Sequence, residues 1–329
     1  MSRFPCLSLL VACALAGAAF AAPAAPPPLP PLSVTILDVG QGQATLVQIP
    51  PSVDLPYGFD LLVDAGPDAT GGALAGKVRS LYAASGYLHN PINFDGDLDP
   101  KTDLDIDLLI STRPTPERIG GMDRLLWAFQ VPRVWLSPAE FGLYKTLPVQ
   151  SARSDKEQRE FYIHLMDEWY FPKRAADPVP IVVEMVTAGR QLVVGGARIT
   201  VLAAPSQLTP LTSLLIHIAY GADSLLLLGD TKPAEARQQV GERWPAFNAV
   251  QLATPATVSP VAVPTPRAAA KPCPLAILSG AGPDKQVEVR LFNTATHGST
   301  TLTSRGRGWA VTPSKYPAVP VKGRPIEVR

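Results

Sequence analysis

The polar side chains with most chemistry to offer stand together in Ile110–Met122, which reads ISTRPTPERIGGM. Arg113, Thr115, Glu117 and Arg118 lie there between an apolar run and the pair Gly120-Gly121. A guanidinium stays protonated and has no lone pair for a metal ion. It does grip carboxylate or phosphate through a two-pronged fork of N–H donors. The segment therefore points toward ion pairing or anion binding. Glu117, with Asp230 as a second carboxyl, could do general acid–base work only with a raised pKa.

Other chemistry is poorly represented. The four histidines, His89, His164, His217 and His297, have no near spacing, so a zinc site would need a long-range coincidence. His217 lies in an expected strand and His164 on an amphipathic helix, positions that suit structural imidazoles. His297 stands in Thr296-His297-Gly298-Ser299, close to the expected C-terminal strand. Ser111, Ser259, Ser279 and Ser299 sit in no G-x-S-x-G elbow, and no phosphate loop or dinucleotide fingerprint is present. Asp95, Asp97, Asp99, Asp103 and Asp105 alternate like a calcium loop. Counted from Asp95, the sixth position is Pro100 and the twelfth is Ile106, where an EF-hand needs Gly and Glu. A solvated acidic loop is the expectation.

These residues must be carried by a fold, and the chain of 329 residues has length for one large domain or two small ones. Met1–Ala22 has a charged start at Arg3, an apolar run over Leu7–Phe20 and Ala19-Phe20-Ala21 as a small-x-small cleavage site. This is the pattern of a secretory signal peptide, so the mature protein is expected in the periplasm or secreted. Leu10-Val11-Ala12-Cys13 resembles a lipobox, but the sequence after Cys13 is apolar, the wrong flank for lipidation. Loss of Cys6 and Cys13 with the leader leaves Cys273 alone, which excludes an intramolecular disulfide and a thiolate zinc cluster. Formal net charge is +1, with no Lys/Arg stripe, so the electrostatic footprint of a nucleic-acid binder is missing. No later run is long and apolar enough to span a bilayer.

Pro23–Pro31 reads as an extended linker. Beyond it, alternation predicts strands at Ser33–Asp38, Ala44–Ile49, Phe59–Val63 and Ile106–Ser111, and a short one at Val134–Leu136. The second half predicts strands at Val182–Val186, Gln191–Val194, Arg198–Leu202, Leu275–Ser279, Val287–Asn293 and Gly308–Val311. A hairpin is expected from Ser213–Ala219 and Ser224–Leu228 around Tyr220-Gly221-Ala222-Asp223. Helices are expected at Leu74–Ser85, Glu117–Phe129, Asp155–Tyr170 and Pro233–Arg243. The third, ending in Trp169 and Tyr170, would either cover a sheet or offer a docking surface. Two strand-rich halves with interspersed helices favour an α/β sandwich.

The segments VTILDVGQGQATLV (34–47), LLVDAG (61–66), IDLLISTRPTPERIGGM (106–122), AGRQLVVGGARITVL (188–202) and TSLLIHIAYGADSLLLLGD (212–230) occur in that order. Together they resemble the metallo-β-lactamase-fold domain at the C-terminal end of ComEC-type competence channels, and its soluble relatives. The resemblance implies an α/β fold: a four-layer αββα metallo-β-lactamase-like sandwich in a single domain over 32–313, with 314–329 as a tail. It also implies the site. The family's loop after the IDLLI-type strand reads THxxxDHxGG and supplies most metal ligands. Arg113 stands at its first His, Thr115 at the Asp or His two positions on, Glu117 at the Asp of the DH pair and Arg118 at its His. The later HHGS-type loop corresponds to Ala256-Thr257-Val258-Ser259, without histidine. Asp230 retains the family's Gly-Asp aspartate, while Asp38 and Asp64 hold positions that shape and support the site.

Two readings of that altered pocket follow. Arg113 and Arg118 could supply fixed positive charge among Asp38, Asp64 and Asp230, an internal ion-pair network. They could instead form a pocket for a small anion. On either reading no cofactor is expected, with zinc or manganese as the alternative. The overall expectation is an exported, non-catalytic binding or scaffold protein, with a protein or a small anion as partner. The alternative is a metal-dependent hydrolase, phosphodiesterase or nuclease-like, with an atypical site.

Overall fold

A computed structural model describes residues 29–85, 106–146, 161–163, 165, 181–207, 212–253, 275–279, 290–294 and 298–315. Short apolar and β-branched segments form fifteen strands among these residues, and they divide between two sheets. The first sheet contains β1 (Leu32–Ile36), β2 (Thr45–Ile49), β3 (Phe59–Val63), β4 (Leu108–Ile110), β5 (Arg133–Leu136) and β6 (Val182–Met185). The second contains β7 (Gln191–Val194), β8 (Ala197–Ala203), β9 (Leu215–Tyr220), β10 (Asp223–Leu227), β11 (Ala249–Ala253), β12 (Leu275–Ser279) and β13 (Arg290–Asn293). The chain then returns to the first sheet with β14 (Thr300–Ser304) and β15 (Trp309–Pro313), giving the order β15-β14-β1-β2-β3-β4-β5-β6.

In each sheet a run of antiparallel strands adjoins a run of parallel ones. β1, β2 and β3 pair antiparallel, whereas β3 to β6 run parallel. The second sheet repeats this, antiparallel from β7 to β10 and parallel from β10 to β13. A parallel pair needs a long crossover. Among the described residues, α1 (Asp68–Ser85) links β3 to β4, α2 (Pro116–Ile119) and α3 (Met122–Ala128) link β4 to β5, α4 (Pro138–Thr146) follows β5, and α5 (Pro233–Val240) links β10 to β11.

Strand alternation distributes the core into layers. Val34, Val47 and Leu61 of the first sheet meet Ile199, Ile216 and Leu225 of the second in one inter-sheet core. The opposite face of the first sheet, with Leu46, Leu62 and Leu109, packs on Val78, Ile119 and Leu125 of the helices. Leu226 and Val250 on the outer face of the second sheet pack on Ala236 and Val240 of α5. Helix, sheet, sheet, helix is the expected four-layer αββα sandwich. No helix among the described residues is long and apolar enough to cross a membrane.

Several elements differ from the expectation. The helix expected over Glu117–Phe129 is two helices, α2 and α3, because the chain at Gly120-Gly121 packs directly on the Ala65–Asp68 backbone. The α1 helix starts at Asp68 instead of Leu74. Leu29–Pro31, expected as linker, belongs to the packed structure: Leu29 lies against the inter-sheet core, and the Tyr220 O–H donates to the Pro30 carbonyl at 2.6 Å. Three elements were not expected at all, namely α4, β11 and β14. The β11 sequence AVQLA is interrupted by Gln251, whose side chain is buried and accepts a hydrogen bond from the Thr45 hydroxyl across the two sheets at 2.8 Å. The β14 sequence TTLTS has one aliphatic residue, yet pairs in full with β1. Of the amphipathic helix expected at Asp155–Tyr170, Phe161–Ile163 and Leu165 are described and helical, with Phe161, Tyr162 and Leu165 buried. The leader, the acidic loop at 93–105, the 256–259 segment, Cys273, His89, His164 and His297 lie outside the described residues.

Candidate functional site

Strand ends from both sheets converge on one cluster. Asp64 follows β3, Thr112 and Arg113 follow β4, and Asp230 follows β10. Asp64 takes a left-handed backbone conformation (φ 59°), which Asp tolerates better than most residues because its short side chain bonds locally. That turn aims its carboxylate at the next strand end. It accepts the Thr112 N–H at 2.8 Å and the Thr112 hydroxyl at 2.6 Å.

The turn after β3 also anchors α2. The Ala65 N–H donates to the Arg118 carbonyl at 2.7 Å and the Gly121 N–H to the Gly66 carbonyl at 2.9 Å. The Gln43 N–H donates to the Glu117 carbonyl at 3.2 Å, joining the glycine turn after β1 to the same helix. At Gly42, a Cβ would stand 2.4 Å from that Glu117 carbonyl oxygen, so only glycine admits this approach.

These contacts fix Arg118 with 2% of its surface exposed. Its guanidinium spans two carboxylates. Nη2 donates to Asp230 Oδ1, and Nε lies 3.4 Å from Asp230 Oδ2. Nη1 lies 3.6 Å from Asp64 Oδ2, an ion-pair contact too long for a hydrogen bond. Arg113 covers the group from the solvent side, its Nη1 3.4 Å from Asp230 Oδ2, with side-chain exposures of 17% and 29% for the two partners. Beneath, the Asp230 N–H donates to the Ser213 hydroxyl at 3.0 Å. Two guanidiniums and two carboxylates thus meet in one cluster. Burial pushes the Asp64 carboxyl up to about 6, and Asp230 adds to the rise. Arg118 and the two Thr112 hydrogen bonds pull in the opposite direction.

Of the residues singled out from sequence, the structure brings Asp64, Arg113, Arg118 and Asp230 together. Asp38 faces elsewhere: its carboxylate lies 3.5 Å from Lys315 Nζ, and its carbonyl accepts from Lys77. Thr115 serves through its backbone, its carbonyl accepting the N–H groups of Arg118 and Ile119 at 2.8 and 2.9 Å. Glu117 is exposed on α2. Thr112 holds the Asp64 carboxylate and Ser213 the Asp230 backbone; Thr112 stands at the Thr of the THxxxDHxGG-type loop, whereas Ser213 carried no signal in the sequence beyond a hydroxyl beside a strand. His217 sits in β9, and burial pushes its imidazole down to about 4, opposed by a hydrogen bond with the Ala246 backbone.

A metal ion between Asp64 and Asp230 does not fit these residues. Both carboxylates already face Arg118, which occupies the position between them and offers donors only. Among the described residues no group of three or more His, Cys, Asp or Glu side chains could hold a metal.

Solved structures similar to this chain include the metallo-β-lactamase fold protein YhfI from Bacillus subtilis, at 13% identity and a TM-score of 0.45, over 80% of this chain and 96% of that one. A metallo-β-lactamase with a HARLDQ motif from Cronobacter sakazakii is similar at 16% identity and a TM-score of 0.39, over 68% of this chain and 78% of that one. Zinc-bound PqqB from Methylobacterium extorquens is similar at 14% identity and a TM-score of 0.38, over 67% and 72%. No protein-family model and no curated protein matches the chain.

Proposed function

We propose that this chain is an exported protein of the metallo-β-lactamase fold that has replaced its metal ligands with an internal ion-pair network, and that it works as a non-catalytic binding or scaffold protein. One observation carries the reading: the buried Arg118 guanidinium lies between Asp64 and Asp230. A fixed organic cation there pairs with both carboxylates but cannot polarise a substrate as a Lewis acid or lower the pKa of a bound water, the services of a catalytic metal. Arg113 and Arg118 both face Asp230, so their charge is spent internally, which favours the ion-pair network over an open anion pocket. Export rests on the leader pattern of Met1–Ala22.

Elemental analysis of the protein purified from the periplasm or medium tests this. The expected result is substoichiometric zinc and manganese, with a Tm unchanged by chelator. Near-stoichiometric metal, or turnover of a phosphodiester that disappears in both Arg113→Ala and Asp230→Ala, overturns it in favour of a hydrolase with an atypical site.

A further inference from the structure

On the helix side of the first sheet stands a carboxyl that the Arg/Asp cluster does not use. Glu140, in the first turn of α4, has 0% of its surface exposed. Its Oε1 accepts the Ser111 hydroxyl at 2.5 Å and the Tyr162 hydroxyl at 2.9 Å. Its Oε2 is equally buried and has no hydrogen-bond partner. Its own N–H donates to the Ser137 hydroxyl at 3.2 Å. One carboxyl therefore joins three pieces of chain: the end of β4, the start of α4 and the helical residues 161–163. Ser111 is followed directly by Thr112, which holds Asp64, and by Arg113, so the joint lies one residue from the site.

The charges around Glu140 do not suit an ion. Ser111 meets it from the end of β4, Tyr162 from the 161–163 turn and Ser137 from the β5–α4 junction, and none of these is cationic. Asp64, of the same sign, raises the acid further. An ionised carboxylate in that setting would be buried, unpaired and half unsatisfied, which is costly. A neutral acid avoids the largest part of that cost.

We propose that Ser111–Glu140–Tyr162 is a proton-operated latch. The neutral carboxyl clamps the Ser111–Arg113 loop and the 161–163 turn onto α4, and loss of its proton releases both. Burial pushes the Glu140 acid from 4.5 up to about 8, with the two hydroxyl bonds opposing the rise, so the closed state holds a proton that the open one releases, and closure weakens as pH rises toward 8. The latch does not depend on whether the neighbouring pocket is catalytic.

Hydrogen exchange of the full mature chain in pH steps up to 8 and beyond it, corrected for the intrinsic pH dependence of exchange, tests it. Peptides covering 111–113 and 161–163 are expected to lose protection as pH rises toward 8, by at most about tenfold per pH unit, the limit for one proton lost, and to level off above 8. Peptides from β9 and β10 report no such change. In Glu140→Gln, which cannot ionise, the loss disappears. The same loss in Glu140→Gln, or no loss in the natural chain, overturns the latch. Tyr162→Phe gives an independent reading. Removing a donor that favours the ionised form moves the levelling-off to higher pH, and a move to lower pH also overturns it.

Discussion

Arg118 is the more buried of the site's two cations and faces both carboxylates, so its removal strands Asp64. Breaking a buried pair from one side costs about 3–5 kcal/mol, because the remaining charge is left uncompensated. Arg118→Ala is expected to lose that much in urea unfolding, and Arg118→Lys less, since the charge survives without the fork. Arg113 sits nearer solvent, where an ion pair contributes about 0–1 kcal/mol, so Arg113→Ala should cost little. Equal losses in the two alanine variants would contradict the arrangement. Asp64 also sets a pH dependence. Its carboxyl is raised from 3.8 to about 6, so the folded protein holds a proton that the unfolded chain releases. The resulting stability is complete below 3.8 and is lost as pH rises toward 6. Asp64→Asn is expected to flatten the stability profile in that window, as followed by urea midpoints at stepped pH.

The elements place Arg118 through a break in a helix. Gly120-Gly121 separates α2 from α3, and a Cβ on Gly121 would stand 2.4 Å from the Ala65 carbonyl oxygen. Backbone cannot yield there as a flexible side chain would. Gly121→Ala should therefore destabilise by about 1–3 kcal/mol, the range for overpacking. It should also disturb Arg118 through the turn after β3, which circular dichroism melts and exchange at residues 64–66 would register together. The glycine pair was legible in the sequence as the opening of a helix. Its use as a break was not, because the obstacle is the backbone of a turn far back in the chain. The same limit hid α4 and β11: Gln251 reads as polar until Thr45 of the other sheet supplies its partner.

At the scale of the molecule, the two sheets are tied at one end of their strands by Asp223. This buried carboxylate, at the start of β10, accepts from Asn248 Nδ2 at 2.8 Å, the Gly308 N–H at 2.7 Å and the Ser304 hydroxyl. Asn248 precedes β11 of the second sheet, and Ser304 and Gly308 flank the β14–β15 turn of the first. A hydrogen bond to a charged group contributes about 1.5–3 kcal/mol. Asp223→Ala, which removes three together, should lower the urea midpoint by more than Arg113→Ala and raise exchange selectively in β14 and β15. Uniform loss of protection across both sheets would contradict that placement.

The amino-acid order by itself determined the layers and the identity of the charges. Periodicity of two marks most strands, glycine turns mark the hairpins, and Arg113 and Arg118 cannot be metal ligands in any fold, since a guanidinium lacks the lone pair. Tertiary structure alone decided which charges meet. Asp38 and Asp64 both read as strand-end aspartates that shape the site, yet Asp38 turns to Lys315 while Asp64 joins Asp230 in facing Arg118. Glu140, which nothing in the sequence singles out, became a fully enclosed acid only when β4 and the 161–163 turn closed over it. The reason is common to both cases. Burial and electrostatic partnership depend on distances between residues remote in the chain, and local pattern carries no record of those distances.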